Sequence, residues 1–172
     1  MKAHEIFHQF SDPNAGEILQ YLHQQDRPAY RACLQLVANR RRLRPIFLNR
    51  KPLPERHSWM KTELSRSSNN DAAAEVLQTW LLGAHRPMIC EFLDALDVPH
   101  DGQGLLETLP PEPSPDALRA AMDGLFQNHP ALPVTAYLLL FPEMDIADWP
   151  GFAKILQDDP RFRSEASTPT AT

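Results

Sequence analysis

Long apolar runs are missing from this chain of 172 residues. The longest, Val134 to Phe141, is interrupted by Thr135 and falls far short of the roughly 20 residues that a membrane-crossing helix needs. Cysteine is scarce as well. Cys33 and Cys90 are too few for a disulfide framework, and both fall inside apolar helical patterns, so two buried free thiols in a reducing compartment are expected. Glycine occurs only 6 times, and no glycine belongs to a phosphate-cradling loop. Gly102-Gln103-Gly104 lacks the spacing that either phosphate motif requires. The opening Met1-Lys2-Ala3-His4-Glu5 carries no apolar core of a signal peptide, so none is expected. These absences point to a soluble, cytoplasmic protein with no membrane partner, no disulfide scaffold and no nucleotide loop.

Proline, by contrast, is abundant, with 17 residues. Its ring suits the first turn of a helix and is excluded from the interior. Prolines spaced between apolar segments therefore predict many short helices with stiff connections. The composition, 42% hydrophobic and 23% charged, is that of a globular chain. A chain this long buries roughly 70% of its unfolded surface and needs no metal or disulfide to fold, and no cofactor is expected. One domain or two packed subdomains is the expected organisation.

Helical periodicity recurs along the chain. Ile6, Phe7 and Phe10 mark a short first helix over 3–10. Asp12-Pro13 reads as cap and first residue of a helix to about Gln25, with Ile18, Leu19 and Leu22 inward. Asp26 caps the next, whose stripe is Tyr30, Cys33, Leu34 and Val37. Between Leu43 and Pro54 the pattern is irregular, because Arg44-Pro45 and Lys51-Pro52 disfavour helical residues before each proline. Ile46, Phe47 and Leu48 read there as an extended or single-turn apolar anchor. A helix over 55–65 carries Trp59, Met60 and Glu63. The polar run 65–70 reads as a loop and a subdomain boundary. Beyond it, Val76, Leu77, Trp80, Leu81 and Ala84 define one helix, and Ile89, Phe92, Leu93 and Leu96 define another. Residues 98–113 form a connection. Ser114-Pro115 opens a helix with Leu118, Ala121, Met122, Leu125 and Phe126 inward. Pro133 to Phe141 is apolar nearly all round, and its leucines favour helix over strand. Pro150 opens the last helix, and 164–172 reads as a frayed tail. The expected fold is all-α: about eight short helices, with a basic subdomain over 1–66 and an acidic one over 67–163.

Charge divides the chain in the same way. Residues 27–66 hold eleven of the 17 Lys and Arg residues against two acids, a net +9, whereas 67–172 hold five against sixteen, a net −11. The acids of the second part offer the arginines partners within the same molecule. Within the basic band, Arg40, Arg41, Arg42, Arg44, Phe47, Arg50, Lys51 and Arg56 are the candidate binding residues, for a protein or a nucleic acid. Phe47 or Trp59 would supply a stacking face if the ligand were a polyanion such as nucleic acid.

Catalytic patterns are incomplete. His4-Glu5-Ile6-Phe7-His8 matches H-E-x-x-H, in which His4 and His8 share a helix face for zinc and Glu5 serves as general base. No third ligand stands at the usual spacing, leaving His23 or Glu17 to serve. Asp97 to Gly102 suggests a calcium loop, but Pro99 and Thr108 occupy positions that need acids. Neither cysteine has an activating histidine at helical spacing. His85, His100 and His129 stand at helix boundaries, where a histidine answers the helix dipole. The expectation is a non-enzymatic module that binds a protein partner. Nucleic-acid binding through residues 40–56 is the alternative, and a zinc-dependent hydrolase on His4, Glu5 and His8 the second.

Overall fold

The computed structural model describes residues 1–106, 108, 110–143 and 149–162. Among them are ten α-helices, three 3-10 turns and no strand, so the chain is all-α. The chain divides into two compact units, Met1–Arg86 and Pro87–Thr172. The stretch 164–172, expected as a tail, lies outside the described residues.

The first unit is built from α1 (Ala3–Gln9), α2 (Asp12–Gln25), α3 (Arg27–Arg41), the single turn α4 (Pro45–Leu48), α5 (Leu53–Leu64) and α6 (Asn70–Ala84). Helix α5 lies against α1, α2 and α3, while α6 lies against α1 and α2. The stripes predicted from periodicity close over one core. Ile6, Phe7, Ile18, Leu19, Leu22, Met60, Leu64 and Leu77 are fully enclosed, and each such side chain contributes about 2 kcal/mol of transfer free energy. Ala84, placed in the α6 stripe by spacing, is exposed, because the buried face ends at Leu81.

The starts of α2 and α3 follow capping chemistry, with one shift, whereas α6 starts after Asn69 with no side-chain cap bond, in place of the cap expected at Asn70 or Asp71. Asp26 caps α3 as expected, its carboxylate accepting the Ala29 N–H at 3.0 Å. The cap of α2 is Ser11, whose Oγ accepts the Asn14 N–H at 3.3 Å. Asp12, the expected cap, instead holds the Lys61 ammonium at 2.8 Å. Both residues cap well, and the long-range cation decides between them. The polar run 65–70 holds a 3-10 turn, Ser67–Asn69, inside the first unit, and α6 follows directly. The Asn69 amide donates to the Glu63 carbonyl at 2.8 Å, which ties this turn back to α5.

The second unit contains α7 (Arg86–Ala95), α8 (Pro115–Asn128), α9 (Ala131–Leu140) and α10 (Pro150–Asp158). Helix α9 is the helix its leucines favour, with Val134 and Ala136 to Phe141 buried. Around it, Phe92, Tyr137, Phe141, Trp149 and Phe152 pack mainly edge to face, Phe92 and Tyr137 having ring centres 5.6 Å apart at 86°, a geometry aromatic quadrupoles favour. The 98–113 connection is pinned onto this cluster. Trp149 Nε1 donates to the Pro110 carbonyl at 3.0 Å, and the Glu112 carboxylate accepts the Phe152 N–H at 2.6 Å. Glu112 thereby caps α10 from 40 residues away. Ser114 caps α8 through the Ala117 N–H at 3.2 Å. Cys33 is buried, but Cys90 is only half-buried, and its thiol donates to the Gly102 carbonyl at 3.6 Å.

Candidate interaction edge

The end of α3 sets up the basic segment. Tyr30, Cys33, Leu34, Val37 and Ala38 are the buried face of α3; Arg40 and Arg41, three and four residues after Val37, continue that face beyond the core and are exposed. Arg42 then adopts the left-handed conformation, φ 53° and ψ 38°. Its N–H reaches the Asn39 carbonyl at 3.4 Å, and the Leu43 N–H reaches the Ala38 carbonyl at 3.0 Å. This is a Schellman-type stop, usually made by glycine. Pro45 holds Arg44 extended, at φ −77° and ψ 139°, as expected for a residue before proline.

One turn of helix follows, and here the sequence expectation needs correction. Leu48 alone is the anchor, 1% exposed, whereas Ile46 is 59% and Phe47 51% exposed, with Leu43 at 41%. Four residues are too short a helix to bury two faces, so Leu48 inward leaves its neighbours outward. Every residue from Asn39 to Phe47 is exposed. Three of the four exposed large apolar side chains among the described residues thus lie within five positions, interleaved with arginines.

The cations of this edge are held to different degrees. The Arg41 guanidinium lies 3.9 Å above the Trp59 ring, and the Lys51 ammonium is 5.6 Å from the same ring. Lys51 also meets Glu55 at 3.2 Å. Arg50 approaches the Phe47 ring at 5.8 Å. Arg56 turns inward, its Nη1 donating to Asn49 at 3.4 Å and its guanidinium 6.0 Å from the Tyr30 ring. Arg40, Arg42 and Arg44 are exposed, and their side chains pair with no acid of their own unit among the described residues. The segment 27–54 contains no acid at all, so no neighbour in sequence neutralises them.

Behind the edge lies a polar cluster that periodicity did not reveal. Tyr30 packs edge-on against His23, ring centres 4.8 Å apart, and against His57 at 5.8 Å. His57 is 7% exposed. Burial, with the Arg56 and His23 charges adding to it, pushes its pKa down to about 4, so the ring is neutral at physiological pH. Tyr30 Oη, Arg56 Nε and His57 Nε2 are buried without a hydrogen-bond partner. Burial also raises the Cys33 thiol to about 12, which removes it as a nucleophile.

The remaining motif residues are engaged structurally. In α1, Glu5 accepts the Lys2 backbone N–H at 2.8 Å, and His4 Nδ1 is 3.0 Å from the Asn70 side-chain oxygen; His8 is exposed. No group of three or more His, Cys, Asp or Glu among the described residues is arranged to hold a metal ion. In the 97–102 turn, Asp101 accepts the Gln103 and Leu105 N–H groups at 2.7 and 3.2 Å. His100 accepts the Gly102 N–H at its Nδ1, 3.1 Å, which leaves the Nε2 proton for Asp94 at 3.1 Å. His129 and Asn128 both hold Glu91, at 2.7 and 2.6 Å, and those bonds keep the Glu91 carboxyl below its ordinary range. A cavity of about 520 Å³ lined by Arg119, Asp123, Ile155 and Arg161 is bridged by the Arg161–Asp123 pair at 2.8 Å. Arg161 also meets Asp159 at 2.6 Å, and no cysteine, serine, threonine or histidine is among the described lining residues. No helix among the described residues is long and apolar enough to cross a membrane.

Compared with protein-family models, curated proteins and solved structures, the chain matches none. The geometry of the edge therefore carries the functional reading.

Proposed function

We propose that this chain is a non-enzymatic interaction protein of the cytoplasm, which docks an acidic protein segment bearing apolar side chains onto the edge Arg40–Lys51. The observation that carries this reading is the run of exposure from Asn39 to Phe47, in which Leu43, Ile46 and Phe47 stand among Arg40, Arg42 and Arg44. Exposed apolar side chains grouped in one place mark contact surfaces, and arginine is the cation best suited to carboxylates there. Acids on the partner would match the cations, and its apolar residues would cover Ile46 and Phe47. Nucleic acid is the second reading, supported by the cations and the Phe47 ring. It is the weaker one, because Leu43 and Ile46 give a base nothing to stack on and Arg41 already covers one face of Trp59.

Trp59, in contact with Arg41 and near Lys51, is a built-in fluorescent reporter of the edge. Titration at low and high salt with an amphipathic Glu/Leu peptide, a Glu/Ser peptide of equal charge and a single-stranded RNA separates the readings. The expected order is Glu/Leu peptide first, with loss of at least about tenfold in affinity on Phe47→Ser and weakening by salt. Tighter binding of RNA with a steep salt slope would move the assignment to nucleic acid. A flat response to all three at low salt would remove the edge as a binding site.

A further inference from the structure

Resting on that reading, the structure assigns an occupant that the chain itself supplies: the acidic turn Asp94–Leu105 of a second copy. The first unit carries thirteen Lys and Arg against eight acids, net +5, and the second carries four against fourteen, net −10. Each unit exposes large apolar side chains in one place only among the described residues, Leu43, Ile46 and Phe47 in the first and Leu105, 54% exposed, in the second. Leu105 is held by the Asp101 carboxylate, which accepts its N–H at 3.2 Å. Asp97 is exposed, and the Asp94 side chain is 74% exposed while touching His100. The turn therefore presents an apolar tip among carboxylates, and the edge presents an apolar tip among guanidiniums. Opposite charge with a shared apolar centre is the complementarity a specific contact needs.

Because the two surfaces differ, the contact is either reciprocated about a two-fold axis, which closes a dimer, or runs head-to-tail from copy to copy. Few side chains take part, so association is weak, at about 10 to 100 µM. Its charged rim makes it fall with salt.

Sedimentation velocity on the full chain tests this, from about 5 to 500 µM at low and high salt. Wild-type protein is expected to gain mass with concentration at low salt and to lose at least about tenfold in affinity at high salt. Arg40→Glu with Arg44→Glu, and separately Asp94→Lys with Asp97→Lys, are each expected to stay monomeric. Mixing the two recovers association, because one keeps the native turn and the other the native edge. Leu105→Ser and Phe47→Ser, which leave all charges in place, are expected to weaken association and guard against misfolding of the reversed variants. A wild-type chain that is monomeric at every concentration, or reversed variants that associate like it, overturns the assignment. If the Glu/Leu peptide still binds such a monomer, the edge stands and only this occupant falls; if neither binds, both fall.

Discussion

His57 is an electrostatic liability of the first unit at acid pH. It is enclosed with Tyr30, His23 and Arg56 around it, and burial holds its native pKa at about 4, below the ordinary histidine value of 6.5. The unfolded chain therefore takes up a proton near pH 6.5 that the native state refuses until about pH 4. Stability is full above that window and is lost as pH falls through it, by roughly 3 kcal/mol in total. Urea midpoints measured between pH 7 and 4 are expected to fall for the wild type and to flatten for His57→Leu. An equal slope in both would assign the acid sensitivity elsewhere. Arg42 is a second liability. A side chain at φ 53° costs about 1 kcal/mol that glycine avoids. Arg42→Gly is expected to raise stability by about that amount and to lower affinity for an acidic peptide, a split that a purely structural arginine would not give. Arg42 was legible as a charge but not as a helix stop, since glycine is the ordinary signal for one.

At the level of elements, α4 hangs on Leu48. Truncation to Ala is expected to cost about 2 to 4 kcal/mol and to release the turn that displays Ile46 and Phe47, so peptide affinity falls along with thermal stability. In the second unit, Glu112→Ala removes the acceptor for the Phe152 N–H and is expected to cost about 1 kcal/mol, read as a lower melting temperature. Undiminished stability would show that water replaces the carboxylate without loss. The helices themselves were readable because 3.6-residue spacing and proline starts are local signals. Glu112 capping α10 was not, nor Asp12 turning to Lys61 in place of capping α2, because each depends on a partner about 40 or more positions away. The anchor reading fails at Ile46 and Phe47 for a related reason. An apolar triplet between prolines looks like an anchor, and only the packing shows that one member of it suffices.

Across the whole molecule, charge is sorted by unit, +5 in Met1–Arg86 and −10 in Pro87–Thr172. The charge asymmetry is visible in the sequence, with a change of sign near Arg66, but the contact boundary is not, since it falls at Arg86. What the sequence left open was whether the arginines at 40–44 meet acids or face outward. Within their own unit they face outward, beside exposed apolar side chains, and the proposed docking follows from that pairing. Amide hydrogen exchange with and without saturating Glu/Leu peptide locates the contact most directly. Protection of residues 42–51, absent in Arg40→Glu with Arg44→Glu, is the expected result. Protection confined to other segments, or unchanged exchange at 42–51, would contradict it.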